Sequence, residues 1–253
     1  MSIQQLATII DQAAHQAKAI PQLSLQQSFS ETEAYAIQAA SLQHRYERGE
    51  KLIGLKMGFT SKAKMEQMGV HDMIWGRLTD AMYFENGSHF SKNKMIHPRA
   101  EPEICFRVKK AINRELSMEE AIDYVDGIAA AIEIIDSRYE NFKFSLEDVI
   151  ADNCSSTGLI IGDWKEPSAN LNDLSISLSI DGKPVHEGSS NAILGNPWEA
   201  FVAATRLAAK YEQEIPAGFY IMAGAATPAV YLEEGQSVLV EVEGFEDVGI
   251  SVL

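Results

Sequence analysis

Glu101 and Glu103 stand two apart in His97-Pro98-Arg99-Ala100-Glu101-Pro102-Glu103, and Glu133 interrupts the apolar run from Ile128 to Ile135. In an extended strand, side chains two apart share a face, so Glu101 and Glu103 present paired carboxylates. Like charges at that separation raise each other's pKa, and burial raises it further, so a buried pair needs a cation or a shared proton. A hard divalent ion is the simplest compensation, and Glu133, lone among alanines and isoleucines, offers a third oxygen ligand. Three carboxylates with water or substrate in the remaining positions suit Mg²⁺ or Mn²⁺, whereas Zn²⁺ more often recruits His or Cys. The alternative is that Glu101 and Glu103 lie on a solvated strand edge and Glu133 on an exposed face.

Other segments carry polar groups in apolar surroundings. Gly54-Leu55-Lys56-Met57-Gly58 puts a lysine inside a strand expected to be buried, where it pairs with a carboxylate or serves proton transfer or substrate charge. A strand-edge lysine reaching solvent fits equally well. Asp136-Ser137-Arg138-Tyr139 and Asn141 follow the Glu133 strand directly, which makes Arg138 a substrate-binding candidate or, with equal weight, a structural salt-bridge partner. Ala151-Asp152-Asn153-Cys154-Ser155-Ser156 offers an amide and hydroxyls suited to an anionic ligand, or is simply a polar turn. Met222-Ala223-Gly224-Ala225-Ala226-Thr227-Pro228 is a small-residue loop whose N–H groups could cup a carboxylate, close backbone packing being the plainer explanation.

The elements that must position these residues show as periodic runs. Residues 2–19 carry Ile3, Leu6, Ile9, Ile10, Ala13 and Ala17 at helical spacing and stop at Pro21. A second helix starts at a Ser30–Glu33 capping box and continues to Gly49. Lys51 to Phe59 reads as a strand, and Ser61 opens a short helix carrying Met65 and Met68 and ending at Gly69. Strands follow at 96–108, 128–136, 155–162, 174–180, 183–187, 219–222, 237–243 and 248–253, with helices at 117–124, 145–150 and 197–211. Asp181-Gly182 marks a hairpin. Strands dominate the second half without regular βα alternation, so the expected class is α+β, a curled mixed sheet with a helical N-terminal section, residues 1–50, packed on it. No repeat or linker divides the chain, and residues 1–253 are expected to form a single catalytic domain.

A formal net charge of −15 argues against unaided binding to nucleic acid or to an anionic membrane, and favours a small-molecule ligand. An anionic substrate then needs local positive charge or a metal. The opening residues lack a secretory pattern and no run is long enough to span a bilayer, so a cytoplasmic location is expected. Cys105 and Cys154 lie in apolar stretches without metal-type spacing and read as buried free thiols.

Gly54-Leu55-Lys56-Met57-Gly58, the Pro98 to Glu103 strand, the Glu133 strand, Ala151-Asp152-Asn153, Leu194-Gly195-Asn196-Pro197 and the Gly224 loop together resemble, in order and spacing, the 2-keto-4-pentenoate hydratase and 4-oxalocrotonate decarboxylase group of the fumarylacetoacetate hydrolase superfamily. The resemblance runs from about Gly49 onward and is specific through the combination. It implies a β-rich roll with Mg²⁺ or Mn²⁺ held by Glu101, Glu103 and Glu133, Lys56 as the catalytic lysine, and Ser155 with the Gly224 loop, through Thr227, near the substrate carboxylate. Ala223 departs from the threonine of many members. The hydratases carry an aspartate where this sequence has Ile74; with the runs 57–65 and 135–142, that points to the decarboxylase branch. An apolar wall of Ile74 and Trp75 would disfavour a carboxylate more than the transition state that releases CO₂. The implied substrate is a 2-oxo-3-enedioate such as 4-oxalocrotonate from ring-cleaved aromatics, the rival reaction being hydration of a 2-hydroxypentadienoate on the same metal. A C–C bond hydrolase would need a His/Glu water-activating pair, for which His71 and His97 are the nearest and poor candidates. A homo-oligomer is expected, with the sister hydratase suggested as a physical partner.

Overall fold

The computed structural model describes residues 1–61, 65, 72–168 and 170–253. The expected helix carrying Met68 and ending at Gly69, and His71, lie outside them; of the run 57–65, residues 62–64 do too. Two helices lead, α1 (Ile3–His15) and α2 (Glu31–Glu47), each closed at its N-terminus by a reciprocal box, Ser2 with Gln5 and Ser30 with Glu33. The same device starts α3 (Met118–Ala121) at Ser117 and α4 (Leu146–Ala151) at Ser145. Asn196 caps α5 (Pro197–Lys210), whose first-turn proline sacrifices no helical hydrogen bond.

The strands are β1 (Leu52–Gly58), β2 (Ile74–Thr79), β3 (Tyr83–Phe84), β4 (His89–Phe90), β5 (Arg99–Val108), β6 (Val125–Ile135), β7 (Ser156–Ile161), β8 (Ser175–Ile180), β9 (Lys183–Ser189), β10 (Tyr220–Met222), β11 (Val230–Tyr231), β12 (Ser237–Val242) and β13 (Val248–Val252). Among the described residues they form two sheets rather than the one expected. An eight-stranded mixed sheet runs β2-β1-β10-β5-β6-β7-β3 with β11 added on β5, and a five-stranded sheet runs β4-β13-β12-β8-β9. Asp181 and Gly182, both at positive φ, turn the β8–β9 hairpin as expected. β2 escaped the sequence reading because Gly76 and Arg77 break its apolar alternation. Strands as short as β3, β4 and β11 carry too little pattern to register.

The large sheet has a different core on each face. Ile104 and Phe106 of β5, Ile128, Ala130, Ile132 and Ile134 of β6, and Leu55 and Met57 of β1 join the main core. That core also takes in Leu6 and Ile10 of α1 and Ile37 of α2. Cys105, Ala129, Ala131 and Met222 belong to a smaller cluster on the opposite face. Strand alternation therefore puts Glu101, Glu103 and Glu133 on the side of the small cluster, where part of the sheet face is left for polar groups. The helical section is tied down through Gln38 of α2, whose amide donates to Trp75 O and Ile150 O at 3.1 and 2.9 Å. No described helix is long and apolar enough to cross a membrane.

Candidate metal centre and substrate cavity

Antiparallel pairing of β5 with β6 sets Glu101 directly opposite Glu133 and Glu103 opposite Ala131. One carboxylate oxygen from each of Glu101, Glu103 and Glu133 lies within 4.8 Å of the others. Glu103 and Glu133 are wholly inaccessible, while Glu101 is 9% exposed. Neither oxygen of Glu133, nor Oε1 of Glu103, has a hydrogen-bond partner. Buried polar atoms are almost always satisfied, so orphaned oxygens within a cluster of three carboxylates mark a place for a cation. The donor set, all carboxylate oxygen, fits a hard divalent ion such as Mg²⁺, Mn²⁺ or Ca²⁺. The solvated-edge alternative is excluded by burial.

β10 carries Lys56 to this cluster. It lies between β1 and β5, parallel to the former and antiparallel to the latter, and pairs Met222 with both Lys56 and Cys105. Lys56 Nζ sits 3.1 Å from Glu133 Oε2, an ion pair lacking the alignment of a hydrogen bond. Burial alone would lower the lysine pKa, but Glu133, Glu101 and Glu103 outweigh it and hold the ammonium above the usual lysine range. Burial pushes the Glu133 carboxyl up to about 7 against the pull of Lys56, and Glu103 well above the usual range, with Glu133 adding to that rise.

Gly224 completes the cluster differently from its expected role. Its own N–H donates to Glu103 Oε2 at 2.8 Å and so steadies a protein carboxylate, while Ala225 and Pro228 of the same loop line the neighbouring cavity. Gly224 has φ +101°, and a Cβ there would collide with Thr60 Oγ1, so no other residue fits. Thr227, also expected at the substrate, donates its hydroxyl to Pro228 O at 3.3 Å and does not line the cavity.

Above the carboxylates opens a cavity of about 420 Å³. Lys56, Ile74, Glu101 and Ser155 line it, as do Arg99, Phe142 and Phe59, which the sequence reading did not assign to the site, and Cys154, read there only as a buried free thiol. Arg99 had a signal, since it lies two before Glu101 on the same strand face. Phe142 had none: it reaches the cavity because Asn141 and Phe142 both adopt left-handed backbone, φ 58° and 55°. Three more residues in that conformation, Asn153, Cys154 and Ser155, form a left-handed turn that delivers Ser155 Oγ, buried and without a partner, to the cavity wall. Gly76 accommodates this turn, because a Cβ there would lie 2.6 Å from both Asn153 O and Ser156 Oγ. The Cys154 thiol is pushed up to about 12 by burial and stays protonated. Trp75, expected beside Ile74 in the wall, does not line the cavity and instead packs with Tyr35 and Tyr211, ring centroids 5.8 and 5.9 Å away.

Arg138 is corrected from the pocket rim to the interior. Its Nε pairs with Asp152, and its other donors go to Asp136 O, Ser156 O, Thr157 Oγ1 and Asp152 O, which locks the left-handed turn against the end of β6. Both charged partners are buried. Arg138→Ala is expected to lower unfolding free energy by about 3–5 kcal/mol, because it leaves Asp152 as an uncompensated buried charge. Urea unfolding checks this, and a loss below about 1 kcal/mol would show that the Arg138–Asp152 pair does not hold the turn in place. His97, named for a water-activating pair, packs against Phe142 at 5.0 Å between centroids and does not line the cavity.

Comparison with known proteins identifies the family and the fold. Residues 51–252 match the family described as fumarylacetoacetate (FAA) hydrolase, C-terminal. A 4-oxalocrotonate decarboxylase of Pseudomonas sp is 48% identical over 251 residues, 99% of this chain and 98% of the relative. A 2-hydroxyhexa-2,4-dienoate hydratase of Comamonas testosteroni is 33% identical over 84% of this chain and 82% of its own. The solved structure of 4-oxalocrotonate decarboxylase from Pseudomonas putida G7, complexed with magnesium and adipate, superposes with a TM-score of 0.95 at 33% identity, covering 99% of this chain and 97% of that one.

Proposed function

Since the chain belongs to the fumarylacetoacetate hydrolase family and is a lyase, we propose that it decarboxylates a 2-oxo-3-enedioate, 4-oxalocrotonate, to a 2-hydroxy-2,4-dienoate. On this reading Glu101, Glu103 and Glu133 hold Mg²⁺ or Mn²⁺. The observation that carries it is the convergence of three buried carboxylates, orphaned oxygens among them, beside a buried lysine under a mostly apolar cavity. A dication bound there supplies Lewis-acid polarisation of a 2-oxo acid and a counter-charge for the electrons left behind when CO₂ departs.

The chain's own residues do the rest. Lys56 holds its proton on Nζ and presents an N–H donor to the oxygen on which negative charge develops, and it can give that proton to this oxygen to form the 2-hydroxyl, the amine then regaining one from water. Ser155 Oγ offers a further hydrogen bond to the bound acid. Ile74, Ile135 and Phe142 keep water from the carbon chain, and Ile74 places no polar group beside it to activate water for addition. The enzyme is proposed to act as a cytoplasmic homo-oligomer in breakdown of ring-cleaved aromatics, beside a hydratase that consumes its product.

Purified protein with Mg²⁺ and 4-oxalocrotonate is expected to release one CO₂ per substrate consumed and to leave 2-hydroxypenta-2,4-dienoate unhydrated. Hydration of the dienoate without CO₂ release would replace this reading with the hydratase.

Metal affinity is expected to climb with pH. The raised carboxyls of Glu133 and Glu103 hold protons that a dication must displace, so binding strengthens roughly tenfold per pH unit for each proton released, and the Glu133 contribution levels off above about 7. Without metal, Glu133 binds more protons folded than unfolded between its usual 4.5 and about 7. Its contribution to stability is therefore complete below that window and lost as pH rises through it. The melting-temperature gain from Mg²⁺ should accordingly be larger at pH 8 than at pH 5.5; an equal gain at both contradicts the ligand set.

A further inference from the structure

We propose that Arg99 recognises the substrate carboxylate remote from the three glutamates, and so makes this a site for dicarboxylates. The inference rests on the 2-oxo acid reading above and adds to it the length and charge of the substrate.

Arg99, Glu101 and Glu103 alternate along one face of β5, which places Arg99 roughly 7 Å along the strand from Glu101, about the reach of an extended six-carbon chain. Arg99 lines the cavity, and its guanidinium carbon sits 4.0 Å from the centroid of the Phe142 ring. Stacking on a ring face leaves the in-plane N–H donors free for a carboxylate. The backbone at Asn141 and Phe142 is held in a disfavoured conformation that sets this ring in place. Arg99 Nε is buried without a partner, and among the described residues no carboxylate lies within 4.0 Å of the guanidinium. Arg138, by contrast, has its donors occupied by the protein.

Charge gives the same answer. Among the described residues, Lys56 and Arg99 are the cations lining the cavity, and Lys56 already faces Glu133. A chain of net charge −15 that admits a dianion needs a second positive centre, and of these two described cations Arg99 is the one not neutralised. Its attraction also offsets the desolvation of a carboxylate brought among Ile135, Phe142 and Phe144. When the bond to that carboxylate breaks, its electron pair passes into the conjugated chain and CO₂ leaves neutral, so the guanidinium's hold is lost. Arg99 therefore acts on binding more than on the chemical step.

The test is calorimetric titration, with Mg²⁺ present, of adipate and of hexanoate into wild type, Arg99→Gln and Arg99→Lys. Wild type is expected to prefer adipate on the order of 10- to 100-fold, the worth of a charge-assisted hydrogen-bonded pair. Arg99→Gln should bring the two acids within about twofold with hexanoate affinity and the Mg²⁺-dependent melting temperature unchanged, and Arg99→Lys should recover part of the preference. In turnover, KM should rise by a comparable factor while kcat does not fall, because the contact to Arg99 is given up as the carboxylate becomes CO₂. Retention of the adipate preference in Arg99→Gln, or equal weakening of both acids, overturns the assignment. Binding of both acids to wild type independently of Mg²⁺ counts instead against the metal reading, which the Arg99 comparison does not touch.

Discussion

Glu133→Gln is expected to cut turnover by on the order of 10³-fold or more, since removing a charged ligand forfeits several kcal/mol of transition-state charge stabilisation. The fold should survive. The glutamine is isosteric, the ammonium of Lys56 that loses its ion pair with Glu133 keeps Glu101 and Glu103 as counter-charges, and the replaced group is a buried carboxylate whose ionisation opposes folding near neutral pH. What should vanish is metal linkage. A native-state ligand at a hundredfold excess over its Kd adds about 2.7 kcal/mol, or about 5–10 °C in a chain of this size. Melting curves with and without Mg²⁺, read beside the far-ultraviolet circular dichroism, separate a lost ligand from a lost fold. Substantial turnover in the variant contradicts the ligand assignment.

Lys56→Met should lower kcat by on the order of 10²–10³-fold, the usual effect of deleting one donor aimed at developing negative charge. Its signature in stability differs from that of the glutamate. Loss of the ammonium leaves Glu133 and Glu103 without their cation, which costs about 3–5 kcal/mol when they are ionised and less when they accept protons. The penalty in metal-free protein should thus be greater at pH 8 than at pH 6, and Mg²⁺ should recover most of it while leaving kcat low. A variant equally stable at both pH values, with kcat near wild type, would place Lys56 in packing alone.

Much of this centre was legible before any coordinates, because it rests on local geometry. The two-residue spacing fixes Glu101 and Glu103 on one face, and a glutamate inside an alanine and isoleucine run has no place in an apolar core. The Ser30–Glu33 box and Asp181-Gly182 likewise depend on neighbours in sequence. What stayed hidden was set by pairings between distant segments. Glu101 opposite Glu133 is a matter of β5–β6 register, and Lys56 reaches Glu133 only because β10, nearly the last part of the large sheet, slots between β1 and β5. Arg138 and Gly224 looked like ligands of the substrate because their donors are the right kind. The structure gives those donors to Asp152 and Glu103, partners that neither segment's sequence identifies. The left-handed turn at Asn153 to Ser155 is similarly a tertiary outcome, imposed on residues with weak preference for it.

Turnover of 4-oxalocrotonate by chelator-treated protein, before and after Mg²⁺ is restored, bears most directly on whether Glu101, Glu103 and Glu133 act through a shared dication. CO₂ release should be absent after chelation and return in full as one equivalent of ion binds per chain, while Glu133→Gln should stay silent under the same titration. Undiminished CO₂ release from metal-free wild type would show that the carboxylate cluster serves some other purpose.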